Sequence, residues 1–149
     1  MTTYPKSRRV VLGHSPSSGV EPYFGVVSSS SSRRLDQLYH DWRDQAVGAN
    51  VWWQPQDRDL LDTSHLEEIV NETECEIIVA LGTVVAALLL GPKLDRRLLE
   101  WDEVNWSTDD GFRTIRVMPL PHPSGLNRFY NNVDNRVQAS VCFREAMLS

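Results

Sequence analysis

The apolar run IIVALGTVVAALLLG, from Ile77 to Gly91, constrains the fold more than any other stretch of the chain. Gly82 and Thr83 divide it, which favours a buried strand that passes into a buried helix over a membrane span. The strand part, Glu76–Gly82, is almost continuously apolar, as expected for a parallel strand whose two faces are both covered. A strand of this kind requires helices on both sides of its sheet.

Strand-like and helix-like segments alternate along the rest of the chain. The predicted strands are Arg8–His14, Ala49–Gln54, Glu76–Gly82 and Arg113–Leu120. The predicted helices are Ser31–Val47, the segment TSHLEEIVNET with Ser64 as its N-cap, a segment that begins at Thr83 and ends at Gly91, and roughly Asp134 to Met147. This alternation predicts an α/β fold, with three α/β/α layers around a mostly parallel four-stranded sheet. At 149 residues the chain fits a single domain, residues 1–149.

Composition narrows the classes of function. With 15 basic and 20 acidic residues the net charge is −5, which argues against a general nucleic-acid binder. A local basic patch is still open, and its candidate members are Arg33, Arg34, Arg96, Arg97, Arg113, Arg116, Arg128 and Arg136. The two cysteines are too few for a four-thiolate cluster, and no set of ligands predicts a metal or a cofactor. The N-terminus lacks the apolar core of a signal peptide, so we expect a cytoplasmic protein without a membrane partner.

Three loops are predicted at the carboxyl ends of the strands, where an open parallel sheet binds its ligands. They are GHSPSSG, GT and PHPSGLNR, after the first, third and fourth predicted strands. The last holds His122 between Pro121 and Pro123, where it can donate a hydrogen bond to a carbonyl or to a developing anion. The first contains His14 and Ser15, but GHSPS does not match the GxSxG pattern of a nucleophilic serine.

Other side chains in the predicted loops suit a nucleic-acid ligand. Ser124 and the backbone amide of Gly125 can donate hydrogen bonds to a phosphate. Leu126, an apolar residue at a loop tip, either folds back on the core or is the wedge that a base-flipping enzyme pushes into a base stack. Tyr23 and Phe24 are either core aromatics or a stacking face for a planar ligand.

The loops resemble those of the uracil-DNA glycosylase superfamily. HPSGLNR, His122–Arg128, is similar to the superfamily's second active-site motif, which begins the loop that enters DNA. LGHSP, Leu12–Pro16, occupies the place of the first motif, which activates water. EPYFG and IIVALGTVVAALLLG resemble elements of the iron–sulfur branch, although the cysteines of that branch are missing. Ser15 stands where active branches commonly carry aspartate or asparagine.

This resemblance implies a DNA glycosylase that flips uracil, or a related modified or mismatched pyrimidine, and hydrolyses its N-glycosidic bond. His122 would stabilise the departing base, and His14 and Ser15 would lie on the side of the attacking water. Phe24, together with Tyr23, would stack on the base.

The resemblance also implies residues that contact the base edge and the DNA strand. Asn50 is a candidate for reading the base edge, as is Gln54. The residues implied to contact DNA all belong to the loop that begins at His122: Ser124, Gly125, Leu126, Asn127 and Arg128.

Two other interpretations stay open. A catalytically inactive module on the same fold would bind a base, a nucleotide or a protein partner, and the acidic charge and Ser15 favour it. An enzyme that acts on free nucleosides or nucleotides would not need Leu126 exposed. An intact HPSGLNR segment favours the glycosylase, because an abandoned site has little physical reason to keep a histidine, a serine and a leucine wedge together.

Overall fold

The computed structural model describes residues 4–15, 30–52, 60–91, 98–108, 111–123 and 127–149. Within these residues the strands are β1 (Arg9–Ser15), β2 (Val47–Trp52), β3 (Ile77–Leu81), β4 (Asp102–Thr108) and β5 (Gly111–Leu120). The helices are α1 (Ser30–Leu38), α2 (Trp42–Gln45), α3 (Thr63–Thr73), α4 (Thr83–Leu90) and α5 (Val133–Leu148), with a 3₁₀ turn at Arg128–Asn131. None of these helices combines the length and the apolarity that a bilayer crossing demands.

The strands form one sheet that is parallel except at one edge. Its order is β2-β1-β3-β5-β4, and β4 runs antiparallel to β5. The mostly parallel α/β sheet is confirmed, and the four predicted strands correspond to β1, β2, β3 and β5. The predicted count of four is one short in the described part of the chain, since β4 was not predicted. Only Val104 and Trp106 of β4 pack against the core, so the sequence of β4 has no clear apolar pattern. The strand is held by its antiparallel pairing with β5.

Alternate residues of the central strands face two separate apolar clusters. Val10 and Leu12 of β1 pack with α3 and α4 on one face of the sheet. Val11 lies between them in sequence and packs with α1, α2 and α5 on the opposite face. All residues of β3 are buried, as expected for a strand covered on both sides. The three-layer α/β/α architecture is therefore confirmed.

The predicted helix Ser31–Val47 is instead two shorter helices, α1 and α2, followed by the first residue of β2. The break allows both Tyr39 and Trp42 to pack against Phe143 of α5, with ring centroids 6.5 and 6.2 Å apart. Trp42 is completely buried. Burial of these two aromatic rings outweighs the helical periodicity of the sequence.

The N-cap of α3 is Asp62, not the predicted Ser64. The Asp62 carboxylate accepts hydrogen bonds from the backbone N–H groups of Ser64 and His65, at 3.0 and 3.4 Å. A carboxylate also interacts favourably with the positive end of the helix dipole, which a serine hydroxyl does not. The predicted limits of α4 are confirmed, because it starts at Thr83 and is followed by Gly91.

Candidate functional site

The strand order brings the ends of three parallel strands together at one edge of the sheet. β3 lies between β1 and β5. The chain crosses from one side of β1 to the other between β2 and β3, so a topological switch point lies at the carboxyl ends of β1 and β3. The residues found there are His14 in β1, Gly82 directly after β3 and His122 shortly after β5. Open α/β sheets bind their ligands in the crevice at such a point.

The side chains of His14 and His122 meet at this edge. Their ring centroids are 5.6 Å apart and the ring planes are inclined by 50°. Both residues are half-buried. Burial lowers the pKa of both imidazoles, and the neighbouring His122 lowers the pKa of His14 further. Both rings are therefore neutral at pH 7, and a neutral imidazole has one N–H donor and one acceptor nitrogen.

Gly82 provides the space that the His122 ring occupies. Its φ is +93°, and a Cβ atom placed on it would lie 3.2 Å from Cδ2 and 3.3 Å from Cβ of His122. The Gly82 N–H donates to the carbonyl of Leu120 at 2.8 Å and so continues the pairing of β3 with β5. Both the backbone conformation and the contact with His122 require glycine here. The sequence marks Gly82 only as a turn between a strand and a helix.

Two side chains bind the backbone around His122. The Tyr130 hydroxyl donates to the Pro121 carbonyl at 2.6 Å, and Asn127 Nδ2 donates to the His122 carbonyl at 2.9 Å. Tyr130 is completely buried and Asn127 is half-buried. Sequence reasoning missed Tyr130, whose only signal is the aromatic pair Phe129–Tyr130 directly after the loop.

A comparison with protein families identifies the superfamily of the chain. The family model of the Uracil DNA glycosylase superfamily matches residues 2–146 of the 149-residue chain. The chain belongs to this superfamily. A search among curated proteins returned no match. Family membership confirms the resemblance that the two loop motifs indicated.

In this superfamily member the candidate for reading a base edge, Asn50, lies in β2, the strand that neighbours β1. The register of β1 and β2 aligns Asn50 with Gly13 and Val51 with His14. Only 9% of Asn50 is exposed. Residues paired in register on parallel strands share a face of the sheet and successive residues alternate between faces, so the Asn50 side chain leaves the sheet on the face opposite to that of His14.

Three arginines of this superfamily member surround the turn that follows the His122 loop. The guanidinium carbon of Arg34 lies 5.0 Å from the centroid of the Tyr130 ring. Arg136 Nη1 donates to the Tyr130 carbonyl at 2.8 Å. Arg128 is exposed in the 3₁₀ turn itself. We call Arg34, Arg128 and Arg136 the arginine strip.

Arg33, another candidate for a basic patch, is exposed in α1 next to Arg34 in sequence. The other candidates lie elsewhere or are not described. Arg113 donates to the Val70 carbonyl, and the guanidinium carbon of Arg116 lies 4.7 Å from the Trp101 ring centroid. Both belong to β5 before its carboxyl end, so they do not join the arginine strip. The pair at positions 96 and 97 falls outside the described residues.

Several predicted site residues also fall outside the described part of the chain: Tyr23, Phe24, Gln54, Ser124, Gly125 and Leu126. Ser15 is the last residue of β1 and pairs in register with Trp52. The described ranges contain no group of three or more histidine, cysteine, aspartate or glutamate residues that could hold a metal ion.

Proposed function

We propose that the protein is a DNA glycosylase that flips uracil or a related modified or mismatched pyrimidine out of DNA and hydrolyses its N-glycosidic bond. The observation that carries the proposal is the pair of His14 and His122, whose ring centroids lie 5.6 Å apart at the switch point of the sheet. Membership of the uracil DNA glycosylase superfamily supports the same class of chemistry.

In the proposed reaction His122 stabilises the departing base. The bond from the sugar carbon to the base nitrogen breaks, and its electron pair leaves with the base as an anion. A neutral His122 N–H donates to the base oxygen on which this charge develops. Such a hydrogen bond is stronger in a half-buried site than in water, because the effective dielectric constant is lower.

Water enters from the side of His14 and Ser15. Its oxygen forms the new bond to the sugar carbon, and its proton needs an acceptor. A serine hydroxyl is a poor proton acceptor, whereas the neutral imidazole of His14 has a basic nitrogen at pH 7. We therefore assign the acceptor role to His14, with Ser15 beside it as a hydrogen-bonding group.

We assign the base and strand contacts to the residues that the resemblance implies. Asn50 reads the base edge, and Phe24, with Tyr23, stacks on the base. The arginine strip binds phosphates beside the loop, and Leu126 fills the gap that the flipped base leaves. Ser124, Gly125, Asn127 and Arg128 complete the contacts to the strand. A local strip of this kind allows an acidic protein to bind DNA, because the number of phosphates that it contacts sets the affinity.

The test is excision from labelled single- and double-stranded oligonucleotides that carry uracil, a G·U or G·T mismatch, hypoxanthine or 5-hydroxymethyluracil. Alkali then cleaves the strand at abasic sites. We expect cleavage that is lost in His122→Ala and kept in His40→Ala, since His40 is an exposed histidine in the segment between α1 and α2. Equal cleavage by the wild-type protein and His122→Ala would refute the assigned role.

Ser15 favours a second candidate function, a module that binds DNA or a nucleotide without chemistry. The two candidates differ in one result. Binding without cleavage of any offered base, weakened by Leu126→Ala or Arg128→Ala, supports the binding module. For Arg128→Ala we expect a weaker affinity for all DNA sequences and a shallower dependence on salt concentration, because an arginine that contacts a phosphate contributes to both.

A further inference from the structure

The backbone around His122 is held by hydrogen bonds to two consecutive carbonyl groups. The Tyr130 hydroxyl donates to the Pro121 carbonyl at 2.6 Å, and Asn127 Nδ2 donates to the His122 carbonyl at 2.9 Å. The first carbonyl belongs to the peptide plane before the His122 Cα, and the second belongs to the plane after it. Fixing both planes fixes φ and ψ of His122, and with them the direction in which its side chain leaves the backbone.

The prolines on either side make the carbonyls the main attachment points. Neither Pro121 nor Pro123 has a backbone N–H, so the ordinary donors of a loop are missing on both sides of His122. Both prolines are buried. Only the carbonyls of this segment, together with the His122 N–H, can form backbone hydrogen bonds.

Tyr130 is itself held rigidly. It is completely buried, and the guanidinium carbon of Arg34 lies 5.0 Å from its ring centroid. Burial raises the pKa of the Tyr130 hydroxyl, so the group stays protonated and remains a donor. Arg136 donates to the Tyr130 carbonyl at 2.8 Å, which ties the start of α5 to the same residue.

Asn127 connects the loop to the 3₁₀ turn with both ends of its amide. Its Oδ1 accepts from the Phe129 N–H at 3.0 Å, while its Nδ2 donates to His122. The Oδ1 atom caps the 3₁₀ turn, and the Nδ2 group binds the His122 carbonyl. The two functions can therefore be separated by a substitution that keeps the acceptor and removes the donor.

We propose that Tyr130 and Asn127 are positioning residues that aim the His122 side chain, so that the turn after the loop sets the geometry of the catalytic histidine. The catalytic consequence rests on the proposed glycosylase function. The structural consequence, a defined orientation of the His122 ring, does not.

The test uses Tyr130→Phe and Asn127→Asp. Tyr130→Phe removes only the hydroxyl and keeps the ring against Arg34. Asn127→Asp keeps the acceptor for Phe129 and replaces the donor that faces the His122 carbonyl.

Each variant has a matched control. Tyr39→Phe removes the hydroxyl from another tyrosine ring that faces an arginine, Arg144, at 5.5 Å. Asn132→Asp makes the same change at the N-cap of α5, where Asn132 accepts from the N–H groups of Asp134 and Asn135.

The first readout is the set of His122 ring resonances in ¹H–¹³C spectra, followed through a pH titration. We expect both variants to shift the His122 resonances and its titration midpoint, and neither control to do so. The second readout is kinetic. We expect kcat for excision to fall on the order of tenfold or more in each variant, because misplacement of a reacting group lowers kcat. For Tyr130→Phe, which touches no proposed DNA contact, we also expect KM to stay within about twofold. A lower melting temperature with unchanged His122 resonances and unchanged kcat would indicate that Tyr130 and Asn127 have only a structural role.

The two possible failures can be told apart. If the wild-type protein excises none of the bases, the proposed function fails, and the spectra still decide the role of Tyr130 and Asn127. If it excises a base and Tyr130→Phe keeps the wild-type His122 resonances and kcat, the positioning role is overturned and the function stands. Should Asn127→Asp not fold, the comparison of Tyr130→Phe with Tyr39→Phe decides alone.

Discussion

Gly82→Ala tests whether the space next to His122 is part of the site. Gly82 has φ +93° and ψ 165°, a backbone conformation that is essentially restricted to glycine. For a residue with a side chain this conformation costs on the order of 1–3 kcal/mol of folding free energy. In a chain of this size each 1 kcal/mol corresponds to about 2–4 °C of melting temperature, so we expect a loss of roughly 2–12 °C.

The added methyl group also reaches His122. It would lie 3.2 Å from the ring atom Cδ2 and 3.3 Å from Cβ, so the histidine must move by a few tenths of an ångström. A misplacement of about 1 Å at a reacting group costs on the order of a hundredfold in rate, and a smaller shift should cost on the order of three- to tenfold. We therefore expect slower excision together with shifted His122 ring resonances.

Gly91→Ala is the matched control. Gly91 follows the other end of α4 with φ +83° and ψ 160°, nearly the conformation of Gly82, but no atom of the described residues lies within 4 Å of a Cβ atom there. Both variants should lose similar stability in thermal melts, and only Gly82→Ala should affect His122. If the two lower the melting temperature alike and Gly82→Ala leaves both the resonances and the excision rate at wild-type values, the steric argument is refuted.

Two further predictions concern stability. Asp62→Ala should destabilise the protein by about 1 kcal/mol through loss of the α3 N-cap. Ser64→Ala should change the melting temperature little. A larger loss of stability in Ser64→Ala than in Asp62→Ala would contradict the assigned cap. The pKa values of His14, His65 and His122 are lowered by burial, so below about pH 6.5 the unfolded chain binds protons more readily than the folded one. The contribution of these three histidines to stability is complete above that pH and is lost as the pH falls through their lowered pKa values in the folded protein. Thermal melts from pH 7.5 to 5.5 should therefore show a falling melting temperature. A constant or rising melting temperature would contradict the assignment.

The parallel part of the fold could be predicted because the apolar sequence of its central strand is compatible only with burial on both faces of the sheet. Every residue of Ile77–Leu81 is buried, and a strand that is apolar on both faces cannot lie at a solvated surface. β4 could not be predicted in the same way. Its burial depends on the partner strand, with Val104 and Trp106 alone packing against the core, so the local sequence carries little signal.

The candidate site could be predicted in position but not in geometry. Parallel strands place their carboxyl ends at one edge, so the loops with His14 and His122 were expected to converge. The 5.6 Å between their rings depends on β3 lying between β1 and β5 and on Gly82 at its end, and neither follows from local sequence. Tyr130 was missed for a related reason. Its role depends on a hydrogen bond to Pro121, nine residues earlier, and a pattern of apolar residues does not encode that contact.

The histidine pair can explain how a site with a serine at position 15, instead of aspartate or asparagine, could still activate water. If His14 accepts the proton of the attacking water, no carboxylate is needed at Ser15. Burial lowers the pKa of both imidazoles, and His122, with its ring 5.6 Å away, lowers the pKa of His14 further, so each ring is neutral before the reaction. In the proposed reaction, negative charge develops on the base beside His122 as the glycosidic bond breaks, and this anion favours a positive charge on His14. The proton transfer and the bond cleavage therefore stabilise each other, in a site that stays electrically neutral overall.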